Sequence, residues 1–402
     1  MELSPSSHAV VAATAGVVAA HADEITATFY PDMFEAHPEL LNVFNQANQA
    51  VGEQPKALAA SVVAFAVQLI SPDAPDFTPI MQRIAHKHVS LGIKARDYTI
   101  VGHHLMKAVG TVLGDAVTPE VAAAWDEVYW LFATSLIAEE ARLYALGGTD
   151  PESPWREYRV VERFEESDEI FSLVLAPVSG AAPAHETGQY VAIAVDLPTG
   201  YRQPRQYTIS SGPRGDSLRV TIKRVRGVNG APDGEVSGWL HENAKPGTIL
   251  NLSQPAGDVV LGETDGPLVL VSAGIGITPV AAIMEDLSRR QPSRTVRLFH
   301  ADRSHGDHAL YEGLRRQVLA MDDARAQNWY EAGADDAPTL HPAREGYMDL
   351  TDVDLPEGAT VFMCGPLPFM QAQRRTLIDR GVPSENIHYE VFGPDLWANN
   401  PN

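Results

Sequence analysis

Residues 267–279 read PLVLVSAGIGITP. Leu268 to Ala273 form an unbroken apolar run, with the length and texture of a strand buried on both faces. A glycine turn follows, Gly274-Ile275-Gly276, and then Ile277, Thr278 and Pro279 lead into a helical pattern that runs to Arg290. Strand, glycine turn and helix start come in the order that brings backbone N–H groups against a pyrophosphate. The two glycines allow close approach, Thr278 is expected to cap the helix, and Pro279 suits its first turn. With proline at 279 this is not the Gly-x-Gly-x-x-Gly fingerprint. A second strand, Val296 to His300, and a second helix, Leu310 to Ala320, come next. Their alternation predicts a parallel sheet with crossover helices. Met363-Cys364-Gly365-Pro366 ends a further strand at the same edge, where such sheets bind ligands. Cys364 reads equally as a small buried residue or as a neighbour of that ligand.

Upstream the texture changes. Short β-branched runs occur at Tyr158–Val161, Ile170–Leu175, Tyr190–Val195, Tyr207–Ser210 and Leu218–Lys223, separated by Gly and Pro turns. That spacing predicts an antiparallel barrel or sandwich. Within it lies Arg205-Gln206-Tyr207-Thr208. A flavin needs an aromatic ring against its isoalloxazine, a cation for its pyrophosphate and a hydrogen bond near its reactive nitrogen. Tyr207, Arg205 and Thr208 can supply these from one short strand, although an ordinary strand with an exposed arginine reads the same. Gly234-Glu235-Val236-Ser237 places a glycine turn at a helix start, again an anion-binding geometry. Glu235 must then face solvent, while Trp239 and Leu240 read as core.

Residues 1 to about 146 read as helices, with apolar positions three and four apart, as in Val62, Val63, Ala66, Val67 and Ile70. The stretch Gly147 to Pro154 breaks the pattern and marks a domain boundary. Two histidines, His86 and His88, lie two apart on a helix and so point to nearly opposite sides. Only one can face a given pocket.

The chain has 402 residues, more than one ordinary domain, with 45% hydrophobic and 20% charged residues. Its formal charge of -22 argues against nucleic-acid binding. Cys364 is its one cysteine, so the chain forms no intrachain disulfide and one thiolate holds no iron–sulfur cluster. No Cys-x-x-Cys-His is present, so any heme is held without covalent attachment. The apolar stretch from Ala9 to Ala20 is interrupted by Thr14 and Gly16 and followed by acidic residues; it reads as a helix, not a leader. No run reaches the length of a membrane span, and the expected location is the cytoplasm.

In this order and spacing, the motifs from about residue 155 resemble the ferredoxin–NADP reductase superfamily. The resemblance implies an FAD-binding β-barrel (155–263) followed by an NAD(P)-binding α/β domain (264–402). It matches Tyr190 to a flavin contact and Phe392, in Val391-Phe392-Gly393-Pro394, to the aromatic next to the flavin. With this module behind it, the N-terminal part (1–147) resembles the globin domain of the flavohemoglobins, and the likeness then covers the whole chain. That implies His88 as proximal ligand of a heme b iron, Lys87 beside it, Phe44 on the porphyrin, and Tyr30, Gln54 and Leu58 on the distal side. Tyr98 and Glu140 match the proximal hydrogen-bonding partners. Thr208 stands where many members carry serine, and His86 replaces a neutral polar residue.

The activity implied is oxidation of nitric oxide to nitrate with dioxygen and NADH or NADPH, through FAD and heme. It implies a monomer whose apolar distal side could admit a lipid or an azole-like ligand. Arg303 follows the second strand, where a 2′-phosphate could be read, or it is simply a surface arginine. Two alternatives stay open: a flavin reductase serving a separate partner protein, and a heme-based gas sensor.

Overall fold

A computed structural model describes residues 2–44, 53–71, 73–213, 215–227, 232–262 and 265–392, with side chains of the helix that begins at Glu53 described from Leu58 onward. Among these, one unit holds the chain up to Trp155 together with Asp196–Pro204; the other holds Arg156–Val195 and Arg205–Phe392.

The first unit is helical. Helices α1 (Pro5–Ala20) and α2 (Ala22–Ala36) precede a 3-10 turn at Pro38–Asn42. Helices α3 (Glu53–Ile70), α4 (Thr78–Leu91), α5 (Asp97–Leu113) and α6 (Pro119–Gly147) follow. Local chemistry sets the starts. Ser4 caps α1 by accepting from the Ser7 N–H, and Thr118 caps α6 through the Val121 N–H, each just ahead of a proline. Helix α6 buries Val128, Phe132, Leu136, Glu140 and Leu143 on one face at helical spacing. A carboxylate in that apolar stripe needs a partner, because an unpaired buried charge is costly. Among the described residues, no single helix is long and apolar enough to cross a membrane.

Two six-stranded sheets follow. The first joins β1 (Arg156–Glu165), β2 (Ile170–Pro177), β3 (Tyr190–Asp196), β4 (Arg202–Thr208), β5 (Leu218–Lys223) and β6 (Ile249–Leu252) in the order β4-β3-β6-β1-β2-β5. The pairs β1–β2, β1–β6, β2–β5 and β3–β6 are antiparallel. Helix α7 (Glu235–Asn243) lies between β5 and β6 in the chain.

The second sheet joins β7 (Leu268–Ala273), β8 (Val296–Asp302), β9 (Ala324–Tyr330), β10 (Arg344–Glu345), β11 (Thr360–Cys364) and β12 (Ile387–Glu390) in the order β10-β9-β8-β7-β11-β12. All its paired strands are parallel. Helices α8 (Ile277–Arg290), α9 (Tyr311–Leu319) and α10 (Leu367–Asp379) are its connections. The run at Leu268 is its central strand, buried between β8 and β11, which is why it is apolar without alternation.

Two expectations shift. The strand expected at Tyr207–Ser210 is β4, which starts five residues earlier at Arg202. It is a sheet edge, where Pro204 is tolerated, and its polar start hid it. Helix α8 begins at Ile277 and not at Pro279.

Candidate active site

His88 lies near the end of α4, Tyr98 in the first turn of α5 and Glu140 on the buried face of α6. The fold brings them together. His88 Nδ1 is 2.8 Å from the Tyr98 hydroxyl and 2.8 Å from Glu140 Oε1. Tyr98 donates its O–H to the same carboxylate oxygen at 2.5 Å. Because the phenol gives its one proton to Glu140, the ring must donate from Nδ1. That network puts a proton on Nδ1, and Nε2 bonds no described residue. Glu140 is only 4% exposed, whereas the His88 side chain is 29% exposed. Burial first, and the Glu140 charge second, push the Tyr98 phenol far above the ordinary tyrosine range, so it remains a donor.

An imidazole whose Nδ1 is backed by a carboxylate, with its other nitrogen left over, is the donor set of a metal-ligating histidine. The residues fit a heme iron. Tyr129, which the sequence reading missed, completes the support: its hydroxyl donates to the Tyr98 carbonyl, and its ring packs on the α5 backbone at Gly102. No local pattern announces it, because Tyr129 is 31 residues away in the chain. His86 has a different neighbourhood. Its charge is felt at Glu139, whose carboxyl is held low chiefly by the Arg142 hydrogen bond.

In the same helical core, Tyr30 and Phe44 meet edge to face at 5.9 Å. Phe34, also unforeseen, lies 5.8 Å from Tyr30 and 5.3 Å from Phe44. Tyr30 is buried, and half-buried Leu58 packs against the same core. Lys87 is half-buried beside His88. The Gln54 side chain lies outside the described residues.

In the second unit, Arg205, Gln206 and Tyr207 are half-buried on β4 and Thr208 is buried. Desolvation lowers the Arg205 guanidinium and raises the Tyr207 phenol. Arg205 also feels Tyr207 and then Glu235, so the strand and the start of α7 lie within electrostatic reach. Helix α7 opens on Gly234, with Glu235 exposed and Val236 and Leu240 buried; Trp239 is half-buried rather than core. The Ser237 hydroxyl is committed to the loop, accepting from the Val225 N–H and donating to the Gly234 carbonyl. What Ser237 offers a ligand is its backbone N–H. A desolvated cation, a desolvated phenol and an open helix start fit a group carrying a pyrophosphate and a flat ring. Tyr190 and Val391 are half-buried, and the Phe392 ring is 49% exposed. Gly393 and Pro394 lie outside the described residues.

The turn after β7 departs from expectation. Thr278 does not cap α8, because the helix has already begun; its hydroxyl donates to the Ile275 carbonyl at 3.0 Å. Gly276 answers first to packing, since a Cβ there would stand 2.3 Å from the Cys364 carbonyl oxygen. Gly274, with φ at +54°, and half-buried Ile275 form the open side of the turn. Ile277 and Pro279 are buried in the core, so a ligand could meet their backbone only. Cys364 is 2% exposed, and burial keeps its thiol neutral well above the usual range. Arg303 is an exposed side chain paired with Asp307 at 2.6 Å.

A family model described as Globin matches residues 27–136, and one described as Oxidoreductase NAD-binding domain matches residues 270–375. A flavohemoprotein of Bordetella pertussis is 42% identical over 402 residues, covering 97% of this chain and 98% of that protein. One from Deinococcus radiodurans is 41% identical over 401 residues, covering 98% and 97%. The solved flavohemoglobin of Malassezia yamatoensis, with bound FAD and heme, superposes with a TM-score of 0.88 at 33% identity, covering 98% of this chain and all of that one. The flavohem-like FAD/NAD-binding domain of nitric oxide dioxygenase from Vibrio cholerae covers 60% of the chain and 99% of its own length, at 35% identity and a TM-score of 0.55. The chain therefore belongs to the flavohemoprotein family.

Proposed function

We propose that this chain is an NAD(P)H-dependent nitric oxide dioxygenase that holds heme b at His88 and FAD along β4 and α7. The observation that carries the reading is the shared hydrogen bond that His88 Nδ1 donates to Glu140 and Tyr98. Bound FAD supplies the exchange between the two electrons of a hydride and single electrons, and bound heme supplies the one-electron centre at which the gases react. Two nitric oxide and two dioxygen molecules with one NAD(P)H give two nitrate ions, NAD(P)+ and one proton.

The chain's residues divide this work. Glu140 and Tyr98 hold the proton on Nδ1, which raises the basicity of Nε2 and favours oxygen activation over storage. Tyr30 would offer an O–H donor where negative charge develops, Gln54 would offer a second, and Leu58 would narrow the approach. Arg205 would offset pyrophosphate charge, Tyr207 would lie against the flavin ring, and Thr208 would provide the hydroxyl near its reactive nitrogen. The turn from Gly274 to Thr278, at the start of α8, takes the dinucleotide. A single buried thiol suits a reducing compartment, and we place the enzyme in the cytoplasm.

His88→Ala tests the reading. It should lose the heme absorbance and keep flavin reduction by NAD(P)H. Heme retained with an unchanged spectrum in that variant would contradict the assignment.

A further inference from the structure

Leu310 is the one non-glycine residue with positive φ among the described residues, at +61°. It precedes α9 at the carboxyl edge of β8, in the loop where a dinucleotide-binding sheet meets its ligand. A leucine holds this left-handed conformation only when its surroundings impose it. Here the Leu310 N–H donates to Glu166 Oε2 at 2.9 Å. Glu166 belongs to the turn between β1 and β2, in the other sheet of the same unit. Its carboxylate thus sits at the N-terminus of α9, where helix polarity favours negative charge.

The other carboxylate oxygen is also used. Ser172 Oγ donates to Glu166 Oε1 at 2.6 Å. Having given its proton there, Ser172 must accept from Thr221 Oγ1 at 2.8 Å. Thr221 in turn must accept from Ser210 Oγ at 2.8 Å, and Ser210 accepts from Arg219 Nε at 3.2 Å. The donor direction runs from Ser210 to the carboxylate, with the Ser210 hydroxyl shared between Thr221 and the Arg219 carbonyl at 3.3 Å. Ser172, Thr221 and Ser210 are buried. Ser210 lies two residues beyond Thr208 at the end of the flavin strand. Arg219 reaches Glu285 of α8 at 3.4 Å. One relay ties the flavin strand to both helices that flank β8.

We propose that Glu166 is a positioning residue for hydride transfer: through Leu310 it holds the β8–α9 loop, and with it the bound dinucleotide, in register with the flavin strand. The inference rests on the proposed reductase activity. Neither Glu166 nor Leu310 is placed at a cofactor; the effect is on geometry.

The test is rapid mixing of the holoenzyme with NADH under anaerobic conditions, reading the limiting rate of flavin reduction and the apparent Kd separately. Glu166→Ala should lower the limiting rate roughly ten- to hundredfold, the scale of a small misplacement of reacting groups, with little change in Kd. Adding Leu310→Gly should restore much of the loss, because glycine keeps positive φ without the clamp. Ser172→Ala, which leaves Glu166 in place, should give a smaller fall and serves if Glu166→Ala does not fold. A limiting rate in both single variants equal to that of the wild type overturns the proposal, as does a failure of Leu310→Gly to restore any rate. A wild-type flavin that NADH does not reduce overturns the reductase reading itself, and this one with it.

Discussion

Glu140 Oε1 receives His88 Nδ1 at 2.8 Å from the buried face of a helix otherwise lined with apolar side chains. The carboxylate's place in that stripe makes sense only through this bond and the Tyr98 hydroxyl that shares its oxygen. Glu140→Gln keeps the shape and removes the charge. The iron–histidine stretching frequency of the ferrous protein should fall, and nitric oxide turnover should drop about ten- to hundredfold, the usual cost of losing a partner behind a metal ligand. Resonance Raman spectroscopy and turnover kinetics check both. An unchanged stretching frequency would remove Glu140 from this role.

Tyr30 is buried in an aromatic cluster with Phe34 and Phe44. Tyr30→Phe preserves the ring and deletes one O–H donor. A hydrogen bond to a charged acceptor is worth about 1.5–3 kcal/mol, so oxygen should leave the ferrous protein roughly ten- to a hundredfold faster. Flash photolysis or stopped-flow displacement gives the rate, and an unaltered one would exclude the contact.

Much of the architecture was legible, and the exceptions have physical causes. β7 announced itself because a central parallel strand is apolar on both faces. β4 showed only at its end, because an edge strand tolerates Pro204 and polar residues at its start. At the helical site, spacing alone could not choose between His86 and His88. The set of Tyr98 and Glu140 decided it, and those two come from helices 42 residues apart in the chain. Tyr129 and Glu166 act on the backbone of distant residues, which leaves no trace in local periodicity. The cap expected from Thr278 failed because the glycine turn passes directly into helix two residues sooner.

Gly276 carries a packing prediction. A methyl group there would press on the Cys364 carbonyl, which is backbone and cannot swing aside. Gly276→Ala should cost about 1–3 kcal/mol of stability, as overpacking does, and should weaken NAD(P)H binding by displacing the turn. Thermal unfolding and a nicotinamide titration of the flavin spectrum measure the two effects. Wild-type values for both would show that the turn has more room than the structure gives it.

His308 carries the pH prediction. It is buried near His300, Tyr311 and Tyr330, and burial first, then the charges of His300 and His305, lower its pKa well below the ordinary value. The unfolded chain takes up a proton at this site below pH about 6.5, and the folded chain does not. The unfolded state therefore binds more protons there, and stability falls as pH drops below that value, by at most ~1.4 kcal/mol per pH unit for this one group. Urea unfolding at about pH 7.5 and about pH 5.5 should show the loss, and His308→Phe should reduce it. An equal pH dependence in the variant would assign the effect to other groups.

The central claim is that nicotinamide electrons reach a heme held by His88 and are spent on nitric oxide. Stopped-flow mixing of the full chain, loaded with FAD and heme, with NAD(P)H, dioxygen and nitric oxide tests it most directly when flavin and heme bands are followed together and nitrate is assayed. The account predicts that both bands cycle while nitric oxide disappears and that two nitrate ions form per NAD(P)H oxidised. A flavin that cycles while the heme band stays still and nitric oxide persists would contradict it.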